Sequence, residues 1–228
     1  MNRVEEAADR LPIRNALVSA FDKDGLDRLV PELTRLAPGL RFFATGGTYR
    51  RLESLLGDNA ADTLVPLTDY TGQPEMQGGL VKSLDYKIYL GLLSESYNEA
   101  HDADLERTGA VRFDLVICNL YPFQEIVAEE ESDLESARSN IDIGGPTMIR
   151  AAAKNYLRVA VLCNPAQYDG FLEEAARHEG KTTLSQRFAL AERAFAYTAD
   201  YERAIAEYFR VQRETTERFA SLYRFPEE

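Results

Sequence analysis

The residues Asn140-Ile141-Asp142-Ile143-Gly144-Gly145-Pro146-Thr147, followed by Ala151-Ala152-Ala153-Lys154-Asn155, concentrate the chain's chemistry. A carboxylate between two isoleucines is costly to bury unless it is paired or hydrogen-bonded. Two glycines and a proline then open what reads as a helix. Glycine lets backbone approach a ligand, and proline suits a first helical turn. The helix start leaves the N–H groups of Ile143, Gly144 and Gly145 for a carbonyl oxygen or an anion. This pattern predicts Asp142 at a sharp strand-to-helix turn, with Lys154 about two turns into the helix and aimed beside it. Such a pair suits proton transfer; an N-cap aspartate and a surface lysine are the plainer alternative.

Four further segments could bind or react. In Ser19-Ala20-Phe21-Asp22-Lys23-Asp24-Gly25, Lys23 is placed to meet a phosphate, unless the segment is only a helix entry capped by Asp22 or Asp24. Thr45-Gly46-Gly47-Thr48 offers two hydroxyls and two glycines at a helix start, a set able to hydrogen-bond phosphate oxygens. Its spacing is that of neither a Walker loop nor a dinucleotide fingerprint. Gly78-Gly79-Leu80-Val81-Lys82-Ser83-Leu84, preceded by Pro74-Glu75-Met76, puts a lysine and a hydroxyl beside a flexible pair, with Lys87 near in sequence. Asn119-Leu120-Tyr121-Pro122-Phe123 sets an amide and a phenol at the end of an apolar run; a tyrosine packed at a strand edge fits equally well. The acidic run Glu129 to Asp133 reads as a solvated loop.

These segments need a frame. Apolar runs at Ala16–Ala20, Leu40–Ala44, Thr63–Leu67, Leu115–Cys118 and Val159–Cys163 have strand length and do not alternate, as strands covered on both faces should not. Between them Leu26, Leu29, Val30, Leu33 and Leu36 form a helical face interrupted by Pro31, which predicts a kinked helix or a later start. Leu52, Leu55 and Leu56 form another, closed by Gly57. The alternation predicts an α/β fold with a parallel sheet, whose ligands bind at the carboxyl ends of the strands. Toward the end Thr183-Leu184-Ser185-Gln186 reads as a capping box. Phe188, Leu190, Ala191, Ala194, Phe195, Thr198, Tyr201, Ile205 and Tyr208 then mark one or two long helices packed on the sheet or on a partner. Phe219, Leu222, Tyr223 and Phe225 are placed to dock a polar tail.

Composition narrows the class. The 228 residues are 45% hydrophobic, enough for one real core, and carry a net charge of -12 with no basic stripe, which disfavours nucleic acid as a partner. An anionic ligand must therefore be held by local positive groups. Cys118 and Cys163 lie in apolar runs and read as buried, reduced thiols, neither a disulfide framework nor a zinc site. His101 and His178 sit among charged residues and read as surface groups. No transmembrane run or signal peptide stands out, so no membrane partner and a cytoplasmic location are expected.

Taken in order, Thr45 to Thr48, Asp69 to Gly72, Pro74 to Met76, Val81-Lys82, Asn119 to Phe123, Ile141 to Thr147 and Ala151 to Asn155 resemble the inosine monophosphate cyclohydrolase domain, from about Ala16 to Phe209. The resemblance implies a methylglyoxal-synthase-like, three-layer α/β/α fold with a mainly parallel sheet and a C-terminal helical extension. On this basis residues 1–14 form an N-terminal segment, 15–210 the domain (about 15–165 core, 166–210 extension) and 211–228 a tail. It further implies closure of the purine ring between the carboxamide nitrogen and formyl carbon of a formamido ribonucleotide, with loss of water. No metal or organic cofactor is implied, and a homodimer is. Lys82, Tyr121, Asp142 and Lys154 become the catalytic candidates. Lys23, Thr45, Gly46, Gly47, Thr48, Ser83, Asn119, Ile143, Gly144 and Gly145 become the substrate-binding ones.

The chain departs from the family pattern at Leu80, where an arginine is usual, at Asp85-Tyr86, where histidine and proline stand, at Phe21 and Asp24, which replace hydroxyl residues, and at Ala44. A remodelled phosphate site follows, with Arg50, Arg51 or Lys87 as replacements. The family's formyltransferase motif is absent after Phe225. A non-catalytic nucleotide-binding relative is the second reading. A methylglyoxal-synthase-type lyase is a third, disfavoured because neither histidine follows a strand.

Overall fold

The apolar runs become strands because each must hide both faces. In the computed structural model, which describes residues 4–73, 83–213 and 223, Ala16, Leu17 and Val18 are wholly buried, as are Leu115 to Ile117 and Val159 to Leu162. The strands are β1 (Leu11–Pro12), β2 (Asn15–Ala20), β3 (Arg41–Ala44), β4 (Leu64–Pro66), β5 (Leu115–Asn119), β6 (Ala160–Leu162) and β7 (Lys181–Thr182). The helices are α1 (Leu26–Leu36), α2 (Gly46–Leu56), α3 (Ala60–Thr63), α4 (Leu67–Thr71), α5 (Tyr86–Leu93), α6 (Glu99–Thr108), α7 (Phe123–Ala128), α8 (Leu134–Ser139), α9 (Gly144–Lys154), α10 (Tyr168–Arg177) and α11 (Leu184–Arg213).

Five strands form a parallel sheet in the order β4-β3-β2-β5-β6. Its register sets Val18 opposite Ala44, Ala20 opposite Asn119 and Ile117 opposite Leu162. Strands β2, β3 and β5 thus end side by side, and the loops that leave them crowd one edge. Helices flank the sheet: α1 packs on α2 and α10, while α9 packs on α5 and α11. A separate antiparallel pair, Leu11 with Thr182 and Pro12 with Lys181, ties the N-terminal segment to the chain just before α11.

Helix α1 starts at Leu26, where its leucines place it, and runs through Pro31. Pro31 and Asp27, whose carbonyl loses its partner, both face solvent, so water can satisfy what the ring removes. The residue before the helix is Gly25, with a φ of 73°, not an aspartate cap; the Asp24 N–H donates instead to Asp22 Oδ1 at 2.9 Å. Gly57 closes α2 with a φ of 54°.

One 30-residue helix, α11, accounts for the final apolar stripe. Its capping box is half made: the Gln186 N–H donates to Thr183 Oγ1 at 3.2 Å, while Gln186 Oε1 is buried without a partner. The stripe also divides. Leu190, Ala191, Ala194, Thr198, Tyr201 and Ile205 are buried, whereas Phe188 and Phe195 are exposed.

Two buried arginines do what apolar residues could not. Arg158 donates to the carbonyls of Gly91, Leu92, Ser94 and Phe113 at 2.5–3.3 Å. Arg187 donates to those of Ala8, Asp9, Tyr156, Leu157 and Thr182 at 2.9–3.1 Å, stitching α11 to the N-terminal segment. Both cysteines are buried and free. The histidines are half-buried, not surface groups: His101 Nδ1 accepts from the Glu95 N–H at 3.1 Å, and His178 Nδ1 is buried without a hydrogen bond. Among the described residues no helix is long and apolar enough to cross a membrane.

Candidate active site

A cavity of about 340 Å³ opens at the strand-end edge. Its lining includes Lys23, Thr45, Gly47, Thr48, Ser83, Asn119, Tyr121, Asp142, Ile143, Gly144 and Gly145. Segments from five separate stretches of sequence thus meet in one hollow. Lys82, Leu80 and the segment from Pro74 onward lie outside the described residues; Ser83, the next residue, is buried against the start of α9.

At one end is the first turn of α2. Thr45, 8% exposed, precedes the helix and makes no capping bond with its side chain. The N–H groups of Gly46 and Gly47 have no carbonyl a turn earlier to bond. A Cβ on Gly47 would lie 3.9 Å from Lys23 Cε and 4.0 Å from Arg50 Nη2, so two cationic arms bracket this helix start. Free N–H groups, a buried hydroxyl and two cations suit a dianionic phosphate. Gly46 turns away from the main cavity into an adjoining cleft of about 200 Å³ that it shares with Arg50 and Thr45.

Two of the expected substrate-binding side chains are engaged elsewhere. The Thr48 hydroxyl donates to the Ala20 carbonyl and accepts from the Ala20 N–H, both at 3.1 Å. Asn119 Oδ1 accepts from the Asp22 N–H and its Nδ2 donates to the Asp22 carbonyl, both at 2.8 Å. Both side chains therefore latch the loop after β2 in place. Lys23 Nζ donates to the Phe21 carbonyl at 3.0 Å, leaving further N–H donors on the ammonium. Of the proposed replacements, Arg50 is at the helix start, Arg51 does not line the cavity, and Lys87 is turned to the Tyr70 carbonyl at 3.1 Å. Asp85 is a buried N-cap of α5, accepting from the Lys87 N–H at 2.8 Å, which accounts for that departure.

At the other end are Asp142 and the start of α9. Asp142 sits on the loop between α8 and α9, not after a strand. Its Oδ1 accepts from the Gly145 N–H at 2.9 Å, so one of the three expected N–H donors is occupied and those of Ile143 and Gly144 remain at the helix start. A Cβ on Gly145 would come within 2.5 Å of Asp142 Oδ2 and of a Leu120 methyl, so any larger residue would displace the Asp142 carboxylate or the Leu120 side chain. Tyr121 stands on the neighbouring wall, 43% exposed.

Lys154 is not in this site. It is the last residue of α9, exposed, ten residues beyond the glycine that touches the cavity. A helix rises 1.5 Å per residue, so about 15 Å separates the two ends, and the expected pairing of Asp142 with Lys154 does not form within one chain.

Two tyrosines on one face of α11 hold what the sequence left unplaced. Tyr201 Oη accepts from the Asp142 N–H at 2.8 Å and donates to the Asn140 carbonyl at 3.4 Å. Tyr197 Oη accepts from the Leu120 N–H at 3.1 Å, fixing the residue beside Tyr121. Burial pushes the Tyr201 hydroxyl up to about 12, which keeps it protonated. Behind the site Cys118 is buried with its thiol pushed well above the ordinary value, first by burial and then by the Asp142 charge. The i, i+4 spacing of the two tyrosines was the available signal: Tyr201 belongs to the stripe that reads as core, while Tyr197 lies outside it.

Fold and site together define an α/β domain with a cavity across its strand ends, lined by Lys23 and Thr45 at one end and by Asp142 at the other. Residues 26–147 match the MGS-like domain family, over half of the chain, and the chain belongs to that family. Residues 152–226 match the AICARFT/IMPCHase bienzyme family. The chain is 43% identical over 202 residues to the bifunctional purine biosynthesis protein PurH of Prochlorococcus marinus (strain MIT 9211). That match takes in 89% of this chain and 38% of the relative, so the chain spans well under half the relative's length. The solved structure described as "Crystal structure of ForH" is 33% identical, with a TM-score of 0.72, and the match takes in 86% of this chain and 99% of that one.

Proposed function

We propose that the chain is an inosine monophosphate cyclohydrolase of purine biosynthesis, closing the ring of 5-formamidoimidazole-4-carboxamide ribonucleotide with loss of water. The observation that carries this reading is the convergence of Tyr121, Asp142 and the N-terminus of α9 on one cavity whose far end is built for a phosphate. The matches to PurH and to the bienzyme family support it.

The substrate phosphate rests on the first turn of α2 between Lys23 and Arg50. The carboxamide nitrogen is a poor nucleophile and must lose a proton as it attacks the formyl carbon. Asp142 is the carboxylate at hand to take it. The formyl oxygen becomes an alkoxide, received by the N–H groups at the start of α9 and protonated from the Tyr121 hydroxyl. The resulting hydroxyl leaves as water with the proton of the former formamide nitrogen, which completes the ring double bond, and the proton taken by Asp142 returns to the Tyr121 phenolate to restore both groups. Both reacting arms belong to one molecule, so much of the acceleration comes from holding them in contact. Lys82 is proposed to contact the ring substituents.

The Asp142–Lys154 pairing is replaced by an arrangement between copies. Thr147, Arg150 and Lys154 form the exposed stripe of α9, continued by exposed Ile143 just before the helix. We propose a two-fold homodimer, in which a stripe facing its own copy in antiparallel fashion sets the C-terminal lysine of one chain near the N-terminal cavity of the other.

Purified protein incubated with the formamido ribonucleotide should develop the hypoxanthine absorbance faster than the spontaneous reaction. A rate no greater than the spontaneous one rejects the enzyme and leaves the non-catalytic nucleotide-binding reading.

A further inference from the structure

We infer that Phe21, together with Tyr121, forms the surface on which the planar ring of the ligand rests, and that Phe21 selects ligands carrying such a ring over those offering phosphate and sugar alone. The inference rests on the nucleotide reading of the cavity given above.

Phe21 is 48% exposed and belongs to no part of the core. Its ring centroid lies 5.0 Å from that of Tyr121, with 58° between the planes. Both rings line the main cavity and also a neighbouring hollow of about 590 Å³, so the pair forms the ridge between them. Ile143, also exposed, stands on the same cavity. Large apolar side chains gathered at one mouth make a wall that a flat ring would cover favourably.

The sheet order sets the distances. Ala20 pairs with Asn119, so Phe21 and Tyr121 leave adjacent strands just past their paired ends. On the other side of β2, β3 delivers Thr45 to the phosphate end. Thr45 and Tyr121 are thus two strand spacings apart, about 10 Å. A nucleotide seated with its phosphate on α2 lays its heterocycle over Phe21 and Tyr121 and points the ring substituents at Asp142. The Phe21 main chain is fixed for this task, its carbonyl accepting from Lys23 Nζ and the next N–H held by Asn119.

Titration calorimetry with inosine monophosphate and with ribose 5-phosphate reads the ring's contribution directly. The unaltered protein should bind inosine monophosphate the tighter. Phe21→Ser should weaken inosine monophosphate about tenfold and change ribose 5-phosphate by less than about twofold, as loss of one stacking face requires. Phe21→Tyr should restore the affinity, and Phe21→Leu should restore only part of it. Equal weakening of both ligands, or an unchanged affinity for inosine monophosphate, overturns the inference. A fall in particle mass for Phe21→Ser does so as well, because the ring then covers a second copy. Binding is separate from turnover. A protein that binds through Phe21 without cyclising its substrate loses the enzymatic reading and keeps this one; a protein that binds neither ligand loses both.

Discussion

Asp142 performs two tasks, and they can be separated. Its carboxylate caps α9 through the Gly145 N–H and also faces the cavity. Asparagine keeps a carbonyl oxygen for the cap but cannot take a proton, and it is as good a helix cap as aspartate. Asp142→Asn should therefore fold with a nearly unchanged melting temperature and lose on the order of 10²–10⁴ in turnover. Asp142→Ala should lose the same activity and, in addition, about 1 kcal/mol of stability in urea unfolding. Retained turnover in Asp142→Asn would remove this residue from the chemistry. The residue scale is also where sequence reading stopped short. Thr48 and Asn119 have the right types for ligand contacts, but their partners, Ala20 and Asp22, are 28 and 97 residues away, and spacing along the chain gives no sign that those hydrogen bonds are already used.

At the scale of elements, α11 is more than a cover for the sheet. Tyr197 and Tyr201 lie one turn apart and hold the loops that carry Tyr121 and Asp142. Removing either hydroxyl leaves a loop N–H without its acceptor, at a cost near 1 kcal/mol. Tyr201→Phe should lower kcat more than it alters KM if the loop it frees carries the proposed base, Asp142, and the proposed phosphate contacts lie at the other end of the cavity. Equal changes in a urea midpoint without any kcat effect would assign the tyrosine to stability alone. Arg158 is the structural counterpart. It gathers four main-chain carbonyls at the other end of the sheet and lies 3.7 Å from Asp114. Arg158→Leu strands those acceptors and removes the cation beside Asp114, which keeps only the N–H groups of Arg14 and Asn15, and should cost about 3–5 kcal/mol, read as a lowered urea midpoint.

For the whole molecule, the decisive question is how many chains make one site. Mixing inactive Asp142→Asn and Lys154→Ala proteins, unfolded and refolded together, tests the proposed dimer. A heterodimer then keeps one cavity with its own Asp142 and a lysine from its neighbour. Random pairing should return about a quarter of the unaltered activity. A mixture as inactive as its components, or a monomeric mass by light scattering at micromolar concentration, rejects the shared site. Alkaline stability is also a property of the whole. Burial holds the Cys163 thiol up at about 11 and the Tyr89 and Tyr201 hydroxyls up at about 12. These groups keep their protons in the folded chain at pH values where the unfolded chain has released them. Their contribution is complete below the ordinary thiol and phenol values and is lost as pH rises through 11–12. The melting temperature should hold from pH 7 to about 8.5 and fall steeply toward pH 11. A flat profile to pH 11 would contradict this.

The amino-acid order by itself determined the five-stranded parallel frame. Buried strands need unbroken apolar runs, and each of Ala16–Ala20, Leu40–Ala44, Thr63–Leu67, Leu115–Cys118 and Val159–Cys163 coincides with a strand to within a residue or two at each end. It also determined which loops gather at the carboxyl edge, because a parallel sheet sends every such loop the same way. Tertiary structure alone decided which side chains in those loops are available, and that Lys154 stands away from the cavity that Asp142 lines. The reason is physical. Backbone pairing and burial are written in local residue type, whereas a hydrogen bond between Tyr201 and Asp142, or the 15 Å that a helix puts between Gly144 and Lys154, depends on where each element starts and on what lies across the fold.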